Sequence, residues 1–336
     1  MLSSVPARVG MLRPAIVGLL LALALGSRCI TASAEEISLL GGLTDTDDHT
    51  HATYAWGLEY RQRLLENLEA SFGYLNEGHL PSDHRDGGML QFWVTTGTWH
   101  DRFSLAFGAG PYVYFDTQFH YNYQGYLNRH GVGAIVSGRA SYALSPQWFA
   151  FVDFNQILAA DPGTRTVLMG VGYRLERLPT LDGPHADEAG GTAALRNEVG
   201  FFIGQTVLND LSYHKSTDFG FEYRYRCLPH LEFSTGLLEE GTGAVESHAS
   251  LTGEIWATQE FLDQRLAVGL GTGPDVALNA YHTADGRTGA SIVGLVSMTA
   301  SWRFTRSLAL RLNWNRGITS DDQDRDIITL GLGLRF

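Results

Sequence analysis

Apolar and polar positions alternate along nearly the whole chain after residue 34, in segments of about nine to twelve residues. A period of two puts successive side chains on opposite faces of an extended backbone, so each segment predicts a β-strand with one apolar face. Eight segments occupy the first half, centred on ISLLGGL, TYAWGLEYRQR, LEASFGYL, MLQFWVTTGTW, FSLAFGAGPYVYF, GVGAIVSGRASYAL, WFAFVDFNQIL and TRTVLMGVGYRL. Eight more occupy the second half, centred on EVGFFIGQTVL, DFGFEYRYRC, LEFSTGLL, HASLTGEIWAT, RLAVGLGTGPDVAL, SIVGLVSMTASWRF, LALRLNWNRGI and DIITLGLGLRF. In the last of these, Ile328, Leu330, Leu332, Leu334 and Phe336 share one face, and Thr329, Gly331, Gly333 and Arg335 share the other.

The two halves are copies of one unit. Trp56 to Gly78 aligns without gaps on Phe219 to Gly241, with 13 identities in 23 columns at an offset of 163. The same offset places Gly108, Gly110 and Pro111 on Gly271, Gly273 and Pro274, and GVGYRL near the end of the first copy answers the terminal GLGLRF. A repeat of this size dominates any reading of the architecture. Between the copies, LPTLDGPHADEAGGTAALR lacks alternation and is rich in Pro, Gly, Ala and Asp, which predicts a linker. The expected organisation is residues 35–177 as the first repeat, 178–196 as the linker and 197–336 as the second repeat.

Connections after the odd strands read as long and polar, for example NEGHLPSDHRDGG and DTQFHYNYQGYLNRH, and those after the even strands as tight, for example LLEN, LSPQ and FTRS. Segregation of loops by length around amphipathic strands predicts a transmembrane antiparallel β-barrel with long external loops and short internal turns. Sixteen strands then form either two tandem eight-stranded barrels or one sixteen-stranded barrel. Inner-face glycines, including Gly108, Gly110, Gly170 and Gly172, together with the linker, favour the tandem arrangement, because a narrow barrel needs small residues opposite large ones.

Residues 1–34 carry Arg8 and Arg13, then the apolar run from Ala15 to Leu25, then Ala32-Ser33-Ala34 before Glu35-Glu36. That order predicts a secretory signal peptide cleaved after Ala34; the apolar run is too short to span a bilayer as a helix. Arg28 stands where lipidation of Cys29 needs a small residue, which argues against a lipoprotein. Loss of this segment removes one of the two cysteines and leaves Cys227 with no intrachain partner. The formal charge of −12 argues against nucleic acid as a partner, since a phosphate backbone needs a basic footprint.

Buried chemistry is expected inside the barrels. Glu59, Arg61 and Arg63 share a strand face, repeated as Glu222, Arg224 and Arg226, and the next strand adds Glu69 and Glu232. An Arg or Lys facing lipid at mid-bilayer costs roughly 2–4 kcal/mol, so these groups should point inward and pair as a lumen charge network. Arg61→Ala is accordingly expected to lower stability. Nine of the 12 histidines fall in or beside the predicted external loops, and His79, Asp83, His84 and Asp86 cluster without matching a zinc spacing, so no metal and no cofactor are expected.

The final strand ending on Phe336 resembles the carboxy-terminal signal of bacterial outer-membrane barrels. The repeat as a whole resembles the small eight-stranded outer-membrane barrels, among them adhesion-type barrels and the lipid A deacylase group. That resemblance implies outer-membrane residence, with membrane lipid, lipopolysaccharide and the barrel-assembly machinery as partners. The deacylases carry a His-x-Ser pair on the penultimate strand; here the corresponding positions are Asp153 and Asn155, then Asn313 and Asn315. Amides and a carboxylate do not supply a nucleophile activated by an imidazole, so ester hydrolysis by that dyad is not expected. The expected role is structural, surface-interacting or small-pore and non-enzymatic. A lipid A- or lipopolysaccharide-modifying enzyme and a porin-like channel are the alternatives.

Overall fold

The computed structural model describes residues 33–336 except 47–50, 81–82, 97–98, 100–101, 121–124, 159–162, 176–194, 211–213, 242, 263, 284–285, 287 and 320–321. Nearly all of the expected signal peptide and linker lies outside the described residues.

The first unit contains β1 (Ser33–Thr46), β2 (Ala52–Leu65), β3 (Leu68–Leu80), β4 (Asp83–Thr95), β5 (Phe103–His120), β6 (Gly125–Ala143), β7 (Trp148–Leu158) and β8 (Thr164–Arg174). The second contains β9 (Asn197–Leu208), β10 (Lys215–Leu228), β11 (Leu231–Glu240), β12 (His248–Phe261), β13 (Leu266–Ala277), β14 (Ile292–Arg303), β15 (Leu308–Ile318) and β16 (Arg325–Arg335). Every strand pairs antiparallel with its neighbours, and each unit closes on itself. β1 pairs with β8 from Glu36↔Arg174 to Thr46↔Thr164, and β16 pairs with β9 from Arg325↔Leu208 to Arg335↔Glu198. Two closed eight-stranded barrels result, and the sixteen-stranded alternative is excluded. Closure removes both sheet edges, which is what lets a β-structure sit in lipid.

Packing is inverted relative to a water-soluble protein. Ile328, Leu330, Leu332 and Leu334 are about half exposed, while Thr329 on the opposite face is 4% exposed. On β7, Val152, Phe154 and Leu158 face outward, and Phe149, Phe151, Asp153, Asn155 and Ile157 face inward. The apolar face therefore meets the surroundings and the polar face meets the interior, as lipid requires.

Two segments expected as loops are strand. Within NEGHLPSDHRDGG, residues 76–80 and 83–88 form the ends of β3 and β4, paired as far as Leu80↔Asp83, so His79 and His84 lie on neighbouring strands rather than in a loop. Within DTQFHYNYQGYLNRH, residues 116–120 and 125–130 extend the β5–β6 ribbon to the pair His120↔Gly125. Pro, Gly and Asp signalled turns there, but the ladder continues because the ends of these strands need no alternation of apolar faces to stay paired.

Inner glycines make room for rings. A Cβ on Gly108 would lie 2.4 Å from the Trp93 indole, and one on Gly271 would lie 2.6 Å from Trp256. Both indoles are fully buried. Gly108→Ala and Gly271→Ala should each cost about 1–3 kcal/mol through overpacking. Gly138→Ala is the matched control, its nearest neighbour being 3.9 Å away on Phe107. Urea unfolding of the lipid-inserted protein measures the difference, and an unchanged midpoint for the first two would show that the indoles can move.

Candidate functional site: the barrel interiors

Each barrel holds a charge layer near the end that carries the short turns. In the first, Arg61 bridges Glu59 at 3.3 Å and Glu69 at 3.2 Å, and Arg63 approaches Glu69 at 3.8 Å. Arg139 on β6 donates to Glu59 at 2.7 Å and forms a two-point pair with Asp153 on β7. Two rings sandwich these cations: Arg61 sits 4.0 Å from the centre of Trp93, and Arg139 sits 4.0 Å from that of Phe151. Stacked, forked guanidinium groups are the best form in which to hide a positive charge. The Trp93 indole N–H donates to Ser71 at 2.8 Å.

The second barrel repeats the kernel. Arg224 pairs with Glu222 at 3.0 Å and lies 3.6 Å from Glu232, Arg226 pairs with Glu232 at 2.8 Å, Arg224 stacks 4.1 Å from the centre of Trp256, and Trp256 donates to Ser234 at 2.9 Å. The eight charged residues singled out in the sequence thus fall into two groups of four. Their partners Arg139, Trp93, Trp256 and Glu260, and beyond them Arg303, which pairs with Glu260, and the Arg311–Glu198 pair, escaped the sequence reading. The matched positions of Trp93 and Trp256 were the available signal.

The four strand-seven polar positions have separate partners. Asp153 pairs with Arg139, and Asn155 donates to Thr166 at 2.8 Å. Thr299 donates to Asn313 at 2.6 Å, and Asn315 lies opposite Ser297 in the ladder. Nothing in this set brings a nucleophile to a base.

Toward the loop end, the interiors diverge. In the first barrel the buried Glu77 accepts from Tyr112 at 2.8 Å and from Thr164. Arg85 faces Asp116 at 3.5 Å, and Tyr74 donates to Asp86 at 2.9 Å. In the second, Glu240 accepts from Thr206 at 2.9 Å and pairs with Arg325 at 2.9 Å. His248 stacks on Tyr281 at 3.7 Å, and Arg325 donates to the Tyr281 hydroxyl at 3.1 Å, which pins a loop residue into the barrel mouth. Outside that mouth, hydrogen bonds from His282 hold the Glu246 carboxyl below its ordinary range.

His79 and His84 stack at 4.3 Å, and His84 engages the Gly78 carbonyl and approaches Asp86 at 3.7 Å. Among the described residues, no three potential ligands converge on a metal position.

Lipid-ready exteriors around closed, charged interiors decide the class. These are two transmembrane barrels of the outer-membrane type. No protein-family model matches the sequence, and no curated protein matches it. Among solved structures, the N-terminal β-barrel domain of OprF from Pseudomonas aeruginosa is 15% identical, with 43% of this chain covering 99% of that one at a TM-score of 0.35. Neisserial surface protein A is 11% identical, at 43% and 98% coverage and a TM-score of 0.34. Ail, the attachment invasion locus protein of Yersinia pestis, is 13% identical, at 43% and 99% coverage and a TM-score of 0.33.

Proposed function

We propose that this is a non-enzymatic surface-interaction protein of the bacterial outer membrane, in which both barrels act as closed anchors rather than pores. The supporting observation is the filled interior of the first barrel. Its charge layer is overlain by an apolar plug that includes Leu40, Leu75, Met89, Tyr112, Ile135 and Leu168, and the Glu77 cluster follows. An ion would have to displace buried apolar side chains to pass. The surface role draws on the uneven rim: β6 pairs with β7 only from Ala134↔Leu158 onward, so nine residues of β6, Gly125 to Gly133, run past the last residue of β7. Lipid and lipopolysaccharide would contact the apolar girdle, and the barrel-assembly machinery would insert the two closed sheets.

Purified protein in planar bilayers should give no stepwise conductance, and it should release no fatty acid from lipopolysaccharide. Stable single-channel steps would overturn the anchor reading, and acyl release would replace it with an enzyme. Trimming the β5–β6 ribbon back to the Asp116↔Arg129 pair should leave a heat-modifiable barrel and abolish the protein-dependent adhesion of cells that display it.

A further inference from the structure

The overhanging rim of the first barrel carries two carboxyl groups in contact. Asp83 opens β4 and Asp116 lies near the end of β5, and alternation puts both on the inner side of the sheet, where the ladder pairs Arg85 with Asp116 and Asp83 with Gln118. Asp116 also pairs with Arg129, in the part of β6 that runs past β7, so this end of the sheet stands clear of the membrane-spanning band. Arg85 Nη2 lies 4.0 Å from Asp83 Oδ2 and 3.5 Å from Asp116 Oδ2, which brings both carboxyl groups onto one guanidinium. Gln118 donates to the same Asp116 oxygen at 2.9 Å.

The second oxygen of each group is left over. Oδ1 of Asp83 and Oδ1 of Asp116 are both buried and receive no hydrogen bond from any donor among the described residues, although the two carboxyl groups lie within hydrogen-bonding reach of each other. Ionised carboxylates only accept, so this contact becomes a hydrogen bond only when one of the two carries a proton. Solvent offers Asp116 no substitute, because its side chain is wholly buried. Around the pair stand Glu77 on β3, which accepts from Tyr112 and Thr164, Tyr114 on β5 and the exposed Arg129 on β6, while His84 and Asp86 occupy the other face of β4. Three carboxyl groups thus crowd one buried guanidinium. Burial raises the Asp116 carboxyl most, contact with Asp83 and its charge add to this, and Arg85 opposes them, which leaves the group pushed up to about 8.

We propose that Asp83 and Asp116 share one proton and so form an acid-dependent clasp on the overhang, holding the end of β4 to the end of β5. That the clasp regulates adhesion rests on the surface-interaction reading; the shared proton does not. When the strand ends part, both carboxyl groups meet water, ionise above about pH 4 and give up the proton. Closure is therefore most stable below about pH 4, weakens by up to about tenfold per pH unit above it, and levels off beyond about 8, where the closed pair has ionised too. The overhang keeps its shape in acid and loosens in alkali.

The test is hydrogen exchange of the full-length protein in detergent across a pH series, read on residues 83–88 and 113–118 after correction for intrinsic rates, with residues 308–318 of the second barrel as reference. Protection of the two strand ends should fall by up to about tenfold per pH unit between about pH 5 and 8, while the reference stays flat. Asp83→Asn places an amide donor where the proton sat, so protection there should become independent of pH. Asp116→Asn should do the same, and it decides the matter if the first variant fails to fold. A flat wild-type profile, or a slope kept in the folded variants, would overturn the clasp. Protection restored at alkaline pH by calcium in the wild type alone would overturn it too, by putting a metal ion between the carboxylates. Adhesion of displaying cells should weaken over the same range in the wild type and hold in the variants; adhesion that ignores pH while exchange keeps its slope would remove the regulatory role. Exchange needs no partner, so cells that adhere at no pH would sink the surface reading and leave the clasp standing.

Discussion

Arg139→Ala should destabilise the first barrel by about 3–5 kcal/mol, the usual loss when one member of a buried charge pair is removed. Arg139 is 3% exposed and serves two carboxylates, Glu59 and Asp153, that have no water to turn to. Glu59 keeps Arg61 at 3.3 Å, but Asp153 loses its bridging cation. Arg61→Ala should cost less, since Glu59 retains Arg139 and Glu69 retains Arg63. The second barrel supplies the rescue. Its strands place Thr299 and Asn313, joined by a 2.6 Å hydrogen bond, where the first has Arg139 and Asp153. Arg139→Thr combined with Asp153→Asn should therefore recover much of the loss that Arg139→Ala alone produces. Denaturant unfolding of lipid-inserted protein measures both. A single variant that costs under about 1 kcal/mol would mean that water reaches the layer, where paired charges are worth little.

Residues 197–336, expressed alone behind a signal peptide, should form a heat-modifiable, protease-resistant barrel. All eight strands of that unit have both neighbours within it, and the β9–β16 ladder closes it. Deleting β16 (Arg325–Arg335) should abolish folding altogether, because it leaves two open edges whose backbone groups have no partners in lipid. A second barrel that folds only when the first is present would show that closure is not sufficient for independence.

The period-two pattern alone determined that the chain is sixteen strands with one lipid-compatible face, since apolar alternation in Ile328, Leu330, Leu332 and Leu334 is a local property of neighbouring residues. The internal repeat likewise identified the Glu59, Arg61, Arg63 and Glu69 group and its copy, because those residues lie on two adjacent strands joined by a short turn. How many barrels form was not local. The same strands satisfy one large cylinder or two small ones, and the choice rests on hydrogen bonds between β1 and β8, and between β16 and β9, more than a hundred residues apart. The partners of the charge layer were hidden for the same reason: Arg139 meets Glu59 across the lumen, 80 residues away in sequence. The divergence of the two turn-end interiors depended on register as well. Only paired strands reveal that Arg311 takes the place of Phe151 above a glycine, so that a packed ring in one copy becomes a buried guanidinium paired with Glu198 in the other.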